Sequence, residues 1–263
     1  MKAFAVRHPL LFAILVSLIT ILGQWWPFQL PVLPQEAQIL LGRTTGLILT
    51  VFVLASLNWW QEAGFARIKS WRVLLPYLPI ILIVLLAIIS NVFVGIRVTD
   101  PALILFGAAS FLVGGFIEEA IFRGVVLQVF LPRGLLRAAL LSAAVFSLVH
   151  LGNILLGQDL GATALQLVRA FLVGMAFVAP LAYTRNIWPL VILHALINFT
   201  SFLGSGNITL ISTESPEIDQ VLAEVIVSGL LSGYGIWLLH RAERRNDHST
   251  VIAKQQVAVD RAE

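Results

Sequence analysis

The sequence predicts an all-α integral membrane protein, a polytopic bundle of about eight transmembrane helices. Of the 263 residues, 59% are hydrophobic and only 12% are charged, whereas soluble domains are about 45–50% apolar and about 25% charged. The apolar residues fall into eight stretches that can each form a helix crossing a bilayer. The basic residues are concentrated in alternate connections between those stretches, which is the pattern of a multi-pass protein. A disordered chain is excluded, because it would need low hydrophobicity and high charge.

The eight stretches differ in length and in the residues at their ends. The first two are short, and each is followed by paired tryptophans, Trp25-Trp26 and Trp59-Trp60, which suit the membrane–water interface. Pro76 and Pro79 lie near the start of the third stretch. The predicted spans are Leu10–Leu22, Thr44–Leu57, Val73–Val94, Pro101 to about Phe122, about Leu135 to Leu156, Ala162–Tyr183, Ile187–Phe202 and Val221–Leu239.

The first stretch has features of a signal peptide, with Lys2 and Arg7 ahead of it. No small-x-small cleavage pattern precedes the aromatic segment Gln24–Phe28, so we expect a retained signal anchor.

The chain has no cysteine. This excludes a disulfide framework, a cysteine zinc site and a thiol nucleophile.

The basic residues predict the orientation in the membrane. With the N-terminus in the cytoplasm, fourteen of the 17 Lys and Arg residues fall on the cytoplasmic side. Only Arg43 and Arg97 fall outside, and Arg169 lies within the sixth span. The positive-inside rule therefore predicts both termini in the cytoplasm, and we expect a bacterial plasma membrane. Loop arginines also explain the positive net charge, so no nucleic-acid partner is expected.

Ionisable side chains inside the spans are the functional candidates, because charge in a bilayer is costly. The candidates are Glu118, Glu119, Arg123, His150, Arg169, His194 and Glu224. Glu224 lies near the outer end of its span, Arg169 can extend outward to water, and Arg123 is taken as the inner end of the fourth span. Two adjacent glutamates on one span and one histidine on each of two others remain.

The spacing of these residues indicates which side chains share a helix face. Glu119 and Arg123 are four residues apart and can pair, whereas Glu118 lies about 100° around the helix. His194 and Asn198 are also four apart, which places an imidazole and a carboxamide on one face. A plainer interpretation is that these polar groups only hold helices together. Four polar positions on three spans favour a functional polar core.

Three motifs carry a resemblance to a known family. Glu118 to Arg123 fits EExxxR, Phe146 to His150 fits FxxxH, and His194 to Asn198 fits HxxxN. In this order, each on a hydrophobic span, they resemble the CPBP family, also called the CAAX protease and bacteriocin-processing (Abi) family. That family includes the Ras-converting-enzyme type of prenyl-protein endopeptidase. The resemblance covers roughly Leu103 to Phe202, and each motif alone is weak.

The resemblance implies roles for these residues. Glu118 with His150 would activate a water molecule, and His194 with Asn198 would hold the oxyanion. Glu119 and Arg123 would orient these groups, with Phe146 in support. In a second version, Glu118, His150 and His194 hold a zinc ion, and Glu119 becomes the base. No HExxH motif is present, and the sequence leaves a metal-free and a zinc-dependent site both open.

The site residues are predicted to lie at unequal depths. Glu118 would lie about 7–8 Å from an inner boundary at Arg123, and His194 about 10 Å from Ile187. His150 would lie about 20 Å from Arg137. A water-filled cavity opening to the cytoplasm would reconcile these depths.

The sequence thus predicts an intramembrane endopeptidase that cleaves membrane-associated proteins or peptides. The alternatives are a non-proteolytic scaffold or bacteriocin-immunity protein and, third, a proton-coupled transporter. A transporter is disfavoured because no internal repeats are visible. The predicted organisation is accessory N-terminal helices at residues 1–100, a catalytic core at 101–203, an outer loop and last helix at 204–240, and a polar cytoplasmic tail at 241–263.

Overall fold

The computed structural model describes the backbone of residues 1–260 and the side chains of residues 1–244. The described residues form helices and connections, without a strand. The helices are α1 (Lys2–Arg7), α2 (Pro9–Trp25), α3 (Gln35–Leu57), α4 (Leu78–Val94), α5 (Pro101–Glu119), α6 (Leu127–Phe130), α7 (Leu135–Val149), α8 (Leu160–Thr184), α9 (Trp188–Ser205) and α10 (Ile218–Asp260).

Eight helical segments of the described chain are long and apolar enough to cross a membrane, which confirms the predicted fold class. They are Pro9–Gln29, Gln35–Leu57, Trp71–Val94, Pro101–Arg133, Leu135–Leu156, Leu160–Thr184, Trp188–Ser205 and Ile218–Arg244. Large apolar side chains such as Phe93, Val94 and Leu105 are more than 70% exposed. Such surfaces suit lipid, where a helix satisfies its own backbone hydrogen bonds.

The fourth span differs from its prediction because it continues past Arg123. After α5, a π-helical segment covers Ala120–Val126, and α6 and a short 3₁₀ turn extend the span to Arg133. Arg123 is 1% exposed, so its charge does not mark the edge of the membrane. The prediction that the span ends near Phe122 is therefore wrong. The Arg123 charge can lie inside the span because Glu119 is a buried counter-ion next to it.

The corrected span removes most of the depth conflict. Glu118 lies fifteen residues before Arg133, and His150 lies fifteen residues after Leu135, so both are about 22 Å from the same end of the bundle. Just before the short helix α9, Ile187 is fully buried and donates its N–H to the Gly64 carbonyl at 2.9 Å. His194 lies only seven residues after Ile187, yet its Nε2 is 3.5 Å from Glu118 Oε2, so the two side chains meet at the same depth.

Two other boundaries also differ from the sequence prediction. The second span begins at Gln35 rather than Thr44, so Arg43 lies within α3 and not in an outer loop. The last helix continues beyond His240 to Asp260, into the segment predicted as a polar tail. Residues 261–263 of that predicted tail lie outside the described residues.

The helices that carry the motifs pack closely together. Helix α5 lies against α9, while α8 packs between α7 and α10 and is the most buried of the spans. At Gly115 of α5, an added Cβ would lie 2.9 Å from the Val191 carbonyl oxygen and 3.1 Å from the Ala195 nitrogen of α9. Small residues at such crossings let membrane helices approach closely. This crossing places the two glutamates next to His194.

Candidate active site

The two glutamates of the site lie at the junction between α5 and the π-helical segment. Glu118 and Glu119 are the last residues of α5, and Arg123 lies within the segment Ala120–Val126. A π-helical turn holds more residues than an α-helical turn and is often found at functional sites. Here it follows directly on the paired carboxylates and carries their basic neighbour.

Glu119 is fully buried and joins two of the motifs. Its Oε1 lies 2.6 Å from His194 Nδ1 and 3.1 Å from Arg123 Nη1. The spacing-based pairing of Glu119 with Arg123 is thus present as an ion pair. The same oxygen contacts the histidine of the HxxxN motif, 75 positions away in sequence. Glu119 therefore connects α5 to α9.

Arg123 lies between two aromatic rings. Its guanidinium carbon is 4.1 Å from the centre of the Phe146 ring and 5.4 Å from the centre of the Phe177 ring. A cation over an aromatic face is stabilised, and more strongly when it is desolvated. Taking an ion pair out of water is costly, and Glu119 and the two rings offset that cost. Phe146 thus has a contact that explains its place in the motif.

His194 lies between the two glutamates. Its Nδ1 contacts Glu119, and its Nε2 lies 3.5 Å from Glu118 Oε2. A carboxylate accepts hydrogen bonds, so Nδ1 carries a proton toward Glu119. A proton on Nε2 as well would make the ring an imidazolium that donates to both sides. The rings of Phe146 and Phe177 lie edge-on to His194, at 6.1 and 6.0 Å between centroids.

His150 is positioned separately, at the end of α7. Its Nδ1 lies 2.8 Å from the Phe146 carbonyl oxygen, which can only accept a hydrogen bond. Nδ1 therefore carries the proton of the neutral ring, and Nε2 is left as an acceptor. The ring also packs edge-on against Phe146, 5.0 Å between centroids. A fixed tautomer of this kind suits a group that accepts a hydrogen bond from water.

The site residues meet around a cavity of about 820 Å³. Its wall includes Glu118, Arg123, His150, His194 and Asn198. The Glu118 side chain is 24% exposed, whereas Glu119 is fully buried and lies outside the cavity wall. The structure thus brings the predicted residues to one place. The two glutamates differ in their access to the cavity, because Glu118 faces it and Glu119 does not.

The cavity opens at one end of the bundle. Its lining includes Phe28 and Gln29 at the end of the first span, Leu156 at the end of the fifth, and Asn207 and Thr213 in the connection after the seventh. These positions lie at the end of the bundle opposite the N-terminus. The sequence predicted cytoplasmic termini and also a cavity that opens to the cytoplasm. Because the cavity opens at the end opposite the N-terminus, these two predictions do not hold together. The reason is that the site lies beyond the middle of the bundle, toward the far connections.

Sequence reasoning missed two side chains at the site. Phe177 on α8 belongs to no motif, so only the packing of α8 against the site identifies it. Arg43 lines the cavity, donates to Gln24 Oε1 at 2.5 Å and lies within about 3 Å of the Cβ position of Gly114. Gly114 lies four residues before Glu118. An earlier start of the second span would have placed Arg43 in the membrane and marked it as a candidate.

Two charges that the sequence placed near the outer surface form an ion pair. Arg169 Nη1 and Glu224 Oε2 are 3.1 Å apart, and both side chains are partly exposed. This agrees with their predicted access to water near the ends of their spans. The pair joins α8 to α10 near the cavity mouth.

The residues proposed for a zinc ion do not fit one as a set. Among the side chains of residues 1–244, no group of three His, Asp or Glu residues converges closely enough to hold a metal. Glu118 and His194 are adjacent, but His150 is held apart by its bond to the Phe146 carbonyl.

The fold and the site together define a multi-pass membrane protein with a buried glutamate–histidine centre. Residues 100–200 match the family model described as type II CAAX prenyl endopeptidase Rce1-like. This confirms the resemblance, and the matched segment contains all three motifs. The family that this model describes consists of endopeptidases. Neither curated proteins nor solved structures give a significant match.

Proposed function

We propose that this protein is an intramembrane endopeptidase in which Glu118 activates water for attack on a peptide bond. The observation that carries the proposal is the unequal access of the two glutamates. Glu118 faces the cavity beside His194, while Glu119 lies behind the wall in contact with Arg123 and His194. A carboxylate facing a confined, weakly solvated cavity is suited to general-base chemistry.

In this mechanism a water molecule binds between Glu118 and the free Nε2 of His150. Glu118 takes a proton as the water oxygen bonds to the scissile carbonyl carbon. The carbonyl π bond breaks and leaves a negatively charged oxygen. When the carbon–nitrogen bond then breaks, the protonated Glu118 gives its proton to the leaving amine. No covalent enzyme intermediate is required, which fits a chain without cysteine.

The oxyanion is held by His194 and Asn198. Both residues line the cavity and lie one turn apart on α9. Because His194 Nδ1 is directed at Glu119, the ring has an Nε2 proton to offer only as an imidazolium. Glu119 therefore has a positioning role: its charge favours the form of His194 that can donate into the cavity. Arg123 holds Glu119 in place from the other side.

The substrates proposed are membrane-associated proteins or peptides, with the bilayer as the surrounding solvent. The specific test uses purified protein in detergent with a library of membrane-embedded peptides, analysed by mass spectrometry. Cleavage by the wild type and its loss in Glu118→Gln, with unchanged folded yield, is the expected result. A scaffold would cleave nothing in either form and would keep its cellular phenotype in Glu118→Gln. A chelator arm tests for metal dependence.

A further inference from the structure

We infer that the catalytic cavity receives its substrate from the extracytoplasmic side of the membrane. The inference rests on the proposed function for the identity of the cavity as a substrate site. Its two premises are the end of the bundle at which the cavity opens and the side on which the basic residues lie. Neither premise depends on proteolytic activity.

The first premise is the composition of the cavity wall. The connection after the seventh span contributes to it, together with the adjoining ends of the first and fifth spans. Described connections at the opposite end, residues 58–70 and 185–187, contribute none. That end is closed by packing: Tyr77 Oη donates to the Asn186 carbonyl at 2.7 Å, and Asn186 Nδ2 donates to the Ala66 carbonyl at 2.9 Å.

The second premise is the distribution of charge between the two ends. The closed end carries Arg67, Lys69 and Arg185 in its connections, and Arg133 at the end of the fourth span. At the open end, Arg97 is the one basic residue in the described connections. With Arg43 and Arg123 moved into the spans, the contrast between the ends persists. The positive-inside rule places the closed end in the cytoplasm, and the cavity therefore opens outside.

The mouth of the cavity indicates the kind of chain that enters. Carboxamide side chains line it, and they come from five parts of the fold: Gln24, Gln29, Gln35, Asn153, Gln166 and Asn207. Asn153 Nδ2 donates to Gln166 Oε1 at 2.8 Å, so part of this lining is already ordered. A carboxamide both donates and accepts, like the peptide group itself. The substrate class is therefore an extended peptide segment that reaches the site from an extracytoplasmic loop or tail.

The test uses the absence of native cysteine. Single cysteines are introduced at the exposed rim positions Gln29 and Thr213, and at Lys69 at the closed end. Intact bacterial cells expressing each variant are treated with a membrane-impermeant maleimide. We expect labelling of Gln29→Cys and Thr213→Cys without permeabilisation, and of Lys69→Cys only after it. A fourth variant, Val173→Cys in the cavity wall, should follow the two rim positions.

The outcomes separate this inference from the proposed function. Labelling of Lys69→Cys in intact cells, with protection of both rim variants, would overturn the extracytoplasmic opening. Labelling at both ends would indicate mixed orientation and would also contradict it. The rim variants are repeated in a Glu118→Gln background, where labelling should be unchanged. A failure of the endopeptidase proposal would leave this result standing, because no step of the assay requires cleavage.

Discussion

Glu119 Oε1 and His194 Nδ1 are 2.6 Å apart, across the crossing of α5 and α9. Glu119 has no access to the cavity, whereas His194 lines it. Through this contact the charge of a buried carboxylate acts on a ring at the cavity wall. The length of the contact depends on how closely the two helices approach, and Gly115 sets that approach one turn before Glu119.

Gly115→Ala is expected to reduce activity by separating these two helices. The new methyl group would lie within 3.1 Å of backbone atoms of Val191 and Ala195, and backbone cannot move aside as a flexible side chain can. Overpacking of this kind costs about 1–3 kcal/mol, and a displacement near 1 Å can lower a rate about 100-fold. The matched control is Gly233→Ala on α10, where the methyl group meets nothing within 4 Å. Equal activity in both variants would contradict the role of the crossing.

Glu118→Gln is expected to abolish cleavage while the protein still folds, because the amide keeps the size of the side chain but cannot accept the proton of water. His150→Ala should be similarly severe. Since members of one catalytic unit do not contribute additively, the double variant should be scarcely worse than either single one. Cleavage rates of a membrane-embedded peptide measure this. Undiminished cleavage by folded Glu118→Gln protein would remove Glu118 as the base.

Asn198→Ala is expected to lower the rate without removing it. The variant loses one donor to the oxyanion, which costs about 100- to 1,000-fold by analogy with other oxyanion holes. The loss should appear in kcat more than in KM, because the donor acts mainly on the charge formed in the transition state. Asn153→Ala is the control, since that carboxamide lines the same cavity but belongs to the mouth. A change confined to KM in Asn198→Ala would argue against the assignment.

Arg123→Ala is expected to lower folded yield together with activity. The substitution leaves Glu119 buried without its counter-ion and empties the space between Phe146 and Phe177. Breaking a buried ion pair costs about 3–5 kcal/mol. Yield after detergent extraction and the midpoint of thermal unfolding measure the effect. The exposed Arg137→Ala on α7 should change neither. Normal stability and turnover in Arg123→Ala would show that the pair is dispensable.

The number of spans could be predicted from the sequence, because the length of an apolar stretch alone determines whether it crosses a bilayer. The motif residues could be found because charge is rare within those stretches. Because charge is rare within spans, the predicted span boundaries near Arg123 and Arg43 were wrong. A charge inside a span looks like the end of the span unless its buried partner is known. The contact of Phe177 with Arg123 was beyond reach, since it depends on how α8 packs and leaves no pattern in sequence.

The wall of the cavity is assembled from three parts of the chain: residues 20–43, residues within 100–200, and residues 207–213. Residues 100–200, which match the family model, supply Glu118, the histidines and the carboxamide that would do the chemistry. Trp25 on α2 and Arg43 on α3 lie outside that segment and line the same cavity. The Trp25 ring packs directly on Gly152, two residues after His150. Changes in the first fifty residues can therefore alter which sequences are admitted while the reactive groups stay the same, so selectivity and chemistry are free to evolve separately.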